Sequence, residues 1–503
     1  MNRVWKIFLY LGMAACAGQL AAGQPYDRIE RRNFWNSGSN INGLRTDSVT
    51  VSFAQLQGSC ASGGFRDSYM ASEEWRAEAV AKTIVHLKKF SMKGAFSFEN
   101  FSGKDMCGSM SGRPGYYPVD VLEFTPGDKS RQTYHFDGGI TSDLGTSWRV
   151  GGRISLTSEN YTKRKDLRHT DYLLDLAVAP GIMFHSGDIS VGANYIFRKS
   201  SETITAEVLG ISSGSYYAFL DKGLMYGIYD IWDSQGTHLK ETGVSGFPAK
   251  EISHGAAVQI QWKQLYAEAE YVRSEGDMGE KQSIWFRFPS DAVTLRAGYA
   301  AGKGDIMHYI RIEAVWKDRK NFESIMESET VDGVTVTTVY GQNRILRQES
   351  AEIVPEYEII APGWEFRTGA SLDFLQEQSS QVYPYVFYRK TFAAEGFVSG
   401  MARVGKFDIR GRLSFRQGSF AESDDCADTE ISLPEKPFRM KDLNDMHMEY
   451  LTAPRMEAGL SLRFNFLNGL YAEIYGTYVR GFGIEFLPGT DRWGTGVILG
   501  YDF

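Results

Sequence analysis

Arginines and carboxylates recur at alternate positions in several segments of this 503-residue chain. Arg149, Arg153, Arg311, Arg410, Arg412, Arg416 and Arg463 each fall on the polar phase of an alternating run, as do Glu268, Glu270, Glu313, Glu473 and Asp502. Residues two apart in a strand share a face. On the inner wall of a closed barrel, such a set would form a ring that selects solutes by charge. It could equally form a ladder of cross-strand ion pairs that fills the interior. Both signs are interleaved, which favours the ladder; Arg410, Arg412 and Arg416 make the best anion-facing wall.

Soft metal ligands form a second group. Cys426, Met440, Met446, His447 and Met448 lie among the acids Glu422, Asp424, Asp425, Asp428 and Glu430, and Met106, Cys107 and Met110 lie in another segment. Thiolate, thioether and imidazole suit copper(I), whereas carboxylates prefer hard cations. The spacing fits no fixed ligand set, so neither a metal site nor a cofactor is expected. Cys60 and Cys107 could form a disulfide between neighbouring external loops in an exported protein.

Catalytic patterns are weak. Gly210-Ile211-Ser212-Ser213-Gly214 matches G-x-S-x-G, but that motif needs a strand–turn–helix elbow, and here it lies in a Ser/Gly-rich stretch. His86, His135, His254 and His308 stand on separate segments, and His185 lies at a short turn. No acid–base trio assembles, so an enzyme is not expected.

The elements that would position these side chains are alternating strands. In 491–503, Trp493, Thr495, Val497, Leu499, Tyr501 and Phe503 share one face, opposite Gly494, Gly496, Ile498, Gly500 and Asp502. Segments 146–157, 304–316 and 406–416 alternate in the same way, and about ten residues suffice for a tilted strand to cross a bilayer. Tyr (27) and Phe (31) outnumber Trp (10), as expected for rings girdling two membrane interfaces. Gly (53) is plentiful and Pro (14) scarce, which suits tight turns and unbroken ladders. A mean hydropathy of −0.30 looks soluble, but the lumen-facing half of a barrel is polar.

A net charge of −8 argues against nucleic acid as a partner. Residues 1–23 read as a signal peptide: Arg3 and Lys6, an apolar core, then Ala21-x-Gly23. A lipid on Cys16 is the rival reading. Beyond residue 23 no stretch approaches the roughly 18 apolar residues of a membrane helix.

The expected organisation is a short periplasmic segment, 24–47, able to act as a small plug, followed by one barrel over 48–503. The fold class is all-β: a single transmembrane antiparallel barrel of about 18–20 strands (range 14–20). Short periplasmic links are expected at Ser142–Ser147, Lys263–Gln264, Pro289–Ala292, Ala361–Gly363 and Leu467–Gly469. Long external connections are expected near 102–130, 199–250 and 418–446, with Glu73–Lys82 as a helix in the first external loop.

The terminal pattern carried by Trp493, Tyr501 and Phe503 resembles the signal read by the barrel-assembly machinery on outer-membrane clients. The segments Arg32-Asn33-Phe34-Trp35-Asn36, Asn42-Gly43-Leu44, Val85–Asn100 and Gly103–Met110 resemble an uncharacterised Bacteroidota outer-membrane barrel family. A fainter likeness is to fatty-acid-transporter-type barrels, but Asn42-Gly43-Leu44 lacks their Asn-Pro-Ala. The resemblance implies residence in outer-membrane lipid beside a TonB-dependent receptor or a surface lipoprotein, and so a passive pore or an accessory barrel in nutrient or metal uptake. A closed-lumen barrel working through its loops is the alternative. The N-terminal segment is too small to be the folded plug of a TonB-dependent receptor.

Overall fold

The computed structural model describes residues 25–503, except 166, 208–217, 224–227, 232–243, 281–282, 333, 381–385, 424–429, 433–436 and 467. Eighteen antiparallel strands close into a barrel, each pairing with its neighbour in sequence. The first barrel strand, Val51–Gly63, pairs with the last, Asp491–Asp502, in the register Phe53↔Asp502 to Gly63↔Arg492. Closure leaves no free edge in the ladder.

Alternation sets the two faces. Along Trp148–Lys163, Trp148, Val150, Ile154 and Leu156 are exposed outside while Arg149 and Arg153 turn inward. On the last strand and the residue that follows it, Trp493 and Phe503 are 65% and 75% exposed, whereas Ile498 is fully buried. The outside thus carries an apolar, aromatic-bearing surface of the kind that lipid covers. Among the described residues no helix is long and apolar enough to cross a membrane.

One end has short turns: Ala361–Trp364 passes through Gly363 (φ 80°) and Val404–Phe407 through Gly405 (φ 61°). Tight hairpins need positive φ, which glycine supplies without strain. The other end departs from expectation in several places. Glu73–Lys82 belongs to a strand, Glu73–His86, paired on both sides. Its Ala and Glu favour helix, but such a preference is a small term that pairing in two ladders overrides. Within 102–130 the strands run on to Ser109 and resume at Asp120, so only 110–119 connects them.

The 418–446 stretch likewise holds strand to Glu422, a hairpin of Glu430–Ser432 with Pro437–Arg439, and the helix Met440–Thr452. In 199–250, strand continues to Glu207 and restarts at Val244, with short strands Ala218–Gly223 and Ile228–Ile231 between. Pro289–Ala292 lies at the long-loop end, because Leu265–Glu280 runs away from the short turns and Ser290–Lys303 returns. The leader 1–23, Cys16, Ser212 and Cys426 fall outside the described residues.

Candidate functional site

A chamber of about 920 Å³ occupies the middle of the barrel, walled by strands, floored by the N-terminal segment and roofed by loops folded inward. That volume is in the range of small-molecule sites.

The floor is the helix Pro25–Arg32 with two short 3₁₀ segments, Phe34–Ser37 and Ile41–Thr46. Asn33 and Asn40 cap those turns, their side chains accepting from the backbone N–H of Trp35 and Asn42. The segment is tied to the inner wall around its circumference. Arg28 pairs with Glu365 (3.1 Å), Arg31 with Glu358 (3.2 Å), Asp27 with Lys82 (3.7 Å) and Glu30 with Lys93. Trp35 Nε1 donates to Gln261 (2.5 Å), Asn40 to Gln259 (2.9 Å) and Thr141 to Asn42 (2.7 Å).

Wall arginines also donate to floor carbonyls: Arg153 to Gly38 and Arg311 to Arg31, each at 2.9 Å. Glycines make room for the bulky rings. A Cβ at Gly298 would meet Phe34 at 2.5 Å, and one at Gly192 would meet Trp35 at 2.7 Å. Tyr266 packs against both rings.

In the wall, the charges singled out by phase face inward and most pair across strands. Arg296 joins Glu268 (2.8 Å), Glu270 (3.4 Å) and Glu313 (3.0 Å). Arg153 bonds Asp137 through two nitrogens, and Arg149 reaches Asp143 (3.3 Å). Arg311 pairs with Glu358 (2.9 Å), Arg410 with Glu473 (3.3 Å) and Arg463 with Asp502 (2.5 Å). Arg412 meets Glu395 (3.4 Å), and Arg416 meets Asp373 (2.8 Å) and Glu395 (3.9 Å). Arg410 is thereby neutralised near the floor, apart from Arg412 and Arg416 on the chamber wall. Buried pairs of this kind fix geometry more surely than they add stability.

The roof begins with residues 110–119. Met110, Tyr116, Tyr117 and Val119 are buried in one apolar cluster with Phe286 and Phe288. Arg113 anchors the loop to Asp175 (3.4 Å), Glu202 (3.1 Å) and Ser200 (3.1 Å), with its guanidinium 3.8 Å from the Tyr116 ring centre. Burial holds the phenols of Tyr116 and Tyr117 well above their usual range.

The second roof element is the helix Met440–Thr452, packed through Met448 and Tyr450 on Phe65 and Tyr69. His447 Nδ1 lies 2.5 Å from the buried Asp67 carboxylate. Glu449 accepts from the backbone N–H groups of Glu485, Phe486 and Leu487 and so holds a further loop in place.

Cys60 and Cys107 are both unbonded. Cys60 shares the outward phase of Leu56, whereas the Cys107 thiol lies against the Ser68 carbonyl, so the expected disulfide is not formed. Met106, Met110 and Met448 are buried in apolar clusters, and no group of three or more His, Cys, Asp or Glu able to hold a metal occurs among the described residues. His86, His135, His254 and His308 each bond a Ser, Thr or Tyr hydroxyl on separate parts of the wall. The main features absent from the sequence reading are Arg113, the Asp67–His447 pair and the wall residues Arg367 and Phe397. The last two were accessible through the same alternation that marked Arg412.

A family model described as "Family of unknown function (DUF6850)" matches residues 43–503. No curated protein matches the chain. Among solved structures it is similar to the outer membrane transporter YddB from Escherichia coli, with 9% identity, TM-score 0.42, and coverage of 90% of this chain and 81% of that one. It is also similar to the siderophore receptor PiuA from Acinetobacter baumannii (7%, TM-score 0.38, 89% and 82%). FpvA of P. aeruginosa, bound to heterologous pyoverdines, gives 8%, TM-score 0.40, 90% and 72%. Superpositions this loose record a likeness and nothing more.

Proposed function

The chain belongs to the family of unknown function DUF6850 over residues 43–503, and we propose that it is an outer-membrane barrel of a nutrient-uptake system that holds a solute in its chamber. The observation carrying this reading is the chamber itself, floored by residues 26–46 and roofed by 110–119 and 440–452. A passive pore needs a continuous aqueous path, and the inward-folded segments work against one. Transport then requires the floor to move, and ion pairs and hydrogen bonds are suited to a contact that must be broken and remade.

The apolar outer face and the closed ladder support residence in outer-membrane lipid, with the short turns in the periplasm. A neighbouring TonB-dependent receptor or surface lipoprotein would share or deliver the solute. Flux of a small sugar into proteoliposomes tests the reading. The intact chain should be nearly impermeable, and a variant lacking residues 25–47 should be faster. Equal rapid flux through both would favour the passive pore.

A further inference from the structure

Three adjacent strands, Trp364–Ser379, Phe387–Val404 and Phe407–Glu422, place a distinctive group on the chamber wall. Their registers align Arg367↔Ser399↔Arg412 in one row and Gly369↔Phe397↔Ser414 in the next. A Cβ at Gly369 would meet the ring of Phe397 at 2.8 Å, so the ring lies over the glycine as a shelf. The guanidinium of Arg412 is 4.2 Å from the ring centre and that of Arg367 is 5.5 Å.

Arg412 and Arg416 have carboxylate partners. Arg367 differs: among the described residues, no carboxylate lies within ion-pair distance and it makes no hydrogen bond, leaving the Phe397 ring as its contact. The carboxylate opposite it in register, Glu358, is already held by Arg31 of the floor and by Arg311. The patch carries both signs, with Arg31, Arg311, Arg367, Arg412 and Arg416 facing Glu356, Glu358, Glu365, Asp373 and Glu395, and Arg367 is set apart by its lack of a close carboxylate.

We propose that Arg367, Arg412 and Phe397 form the recognition subsite of the chamber for an anionic solute. Its carboxylate or phosphate group is taken by Arg367, and its apolar body rests on Phe397. A planar guanidinium matches both head groups through paired N–H donors. The inference rests on the chamber being a solute site. The floor takes part in building the subsite, because Arg31 holds the carboxylate that would otherwise neutralise Arg367.

Saturation-transfer NMR on the intact, detergent-solubilised barrel tests this with benzoate, phenyl phosphate and neutral benzyl alcohol as observed probes, and with inorganic phosphate, which has no observable proton, as a competitor of benzoate. Benzoate and phenyl phosphate should bind while benzyl alcohol should not. Arg367→Gln should weaken both anions about tenfold or more, as expected for loss of a charge-assisted pair. Arg367→Lys should restore part of that loss, and Phe397→Leu should weaken the phenyl probes while sparing inorganic phosphate. Arg480→Gln, at an exposed pair with Asp491, should change nothing.

Tighter benzoate binding supports a carboxylate source and tighter phenyl phosphate a phosphate source; both support the subsite. Retained anion affinity in a folded Arg367→Gln barrel, benzyl alcohol binding as well as benzoate, or failure of every anion to bind overturns it. Flux is read separately. An intact chain that is freely permeable contradicts the uptake reading alone, and absent Arg367-dependent binding in an impermeable barrel contradicts the subsite alone.

Discussion

The ring of Phe34 fills the space that a side chain at Gly298 would need: a Cβ there would come within 2.5 Å of it. A floor residue thus fits a notch in a wall strand, and the fit carries a consequence. Gly298→Val overpacks the notch at a cost of about 1–3 kcal/mol. The barrel ladder on either side is untouched, so the expected outcome is a folded barrel with a dislodged floor. Faster proteolysis within 25–47 at unchanged heat-modifiable mobility checks it; wild-type resistance would contradict the notch.

Acid should loosen the same segment. Burial acts to raise the Glu30 carboxyl, but the Lys93 and Lys82 ammoniums outweigh it and hold the group at about 2. A lowered folded-state value contributes attachment that is complete above the ordinary glutamate range and is lost as pH falls through it. Protection of residues 25–46 against hydrogen exchange, corrected for the intrinsic rate, should therefore fall between about pH 4.5 and pH 2. Constant protection over that interval would contradict the Glu30–Lys93 contact.

The roof depends on one guanidinium. Arg113→Ala strands Asp175 and Glu202 in a buried site, and removing one partner of such a group costs about 3–5 kcal/mol. Exchange should accelerate in 110–119 and leave the strands Val51–Gly63 and Asp491–Asp502 protected. Loss confined to those distant strands would show that Arg113 does not anchor the roof.

The outer surface can be tested at Ile154, which is exposed on the same face as Val150 and Leu156. Ile154→Lys places a charge toward the bilayer midplane and should cost about 2–4 kcal/mol in folding into lipid vesicles. The same change at Arg153, on the inward phase, removes the paired bond to Asp137 but adds no charge to the lipid face. Equal losses for the two would contradict the assigned phase.

Much of the barrel was legible because a two-residue period survives in any strand with unlike faces. Trp493 to Phe503 and Arg410 to Arg416 announced their faces from sequence alone. Three features were not legible. Glu73–Lys82 reads as a helix from its Ala and Glu, and only pairing with 51–63 and 90–109 makes it a strand. Residues 110–119 read as an external loop, because no local signal says that Tyr116 and Tyr117 turn inward to meet Phe288. Partner choice was also hidden. Phase placed Arg153 and Arg412 inside, but that Asp137 and Glu395 answer them depends on register and on which strands neighbour one another.

A zero-length carbodiimide cross-link tests most directly whether residues 26–46 floor the barrel. The reagent joins an amine to a carboxylate already in contact, and the floor offers Glu30 with Lys93 and Asp27 with Lys82. Lys104 with Glu73, an exposed pair at 2.8 Å, serves as the positive control. Mass spectrometry of the folded, intact chain should recover Glu30–Lys93 and Asp27–Lys82 peptides, and denaturation before treatment should abolish them. Recovery of Lys104–Glu73 with neither floor peptide would contradict the account.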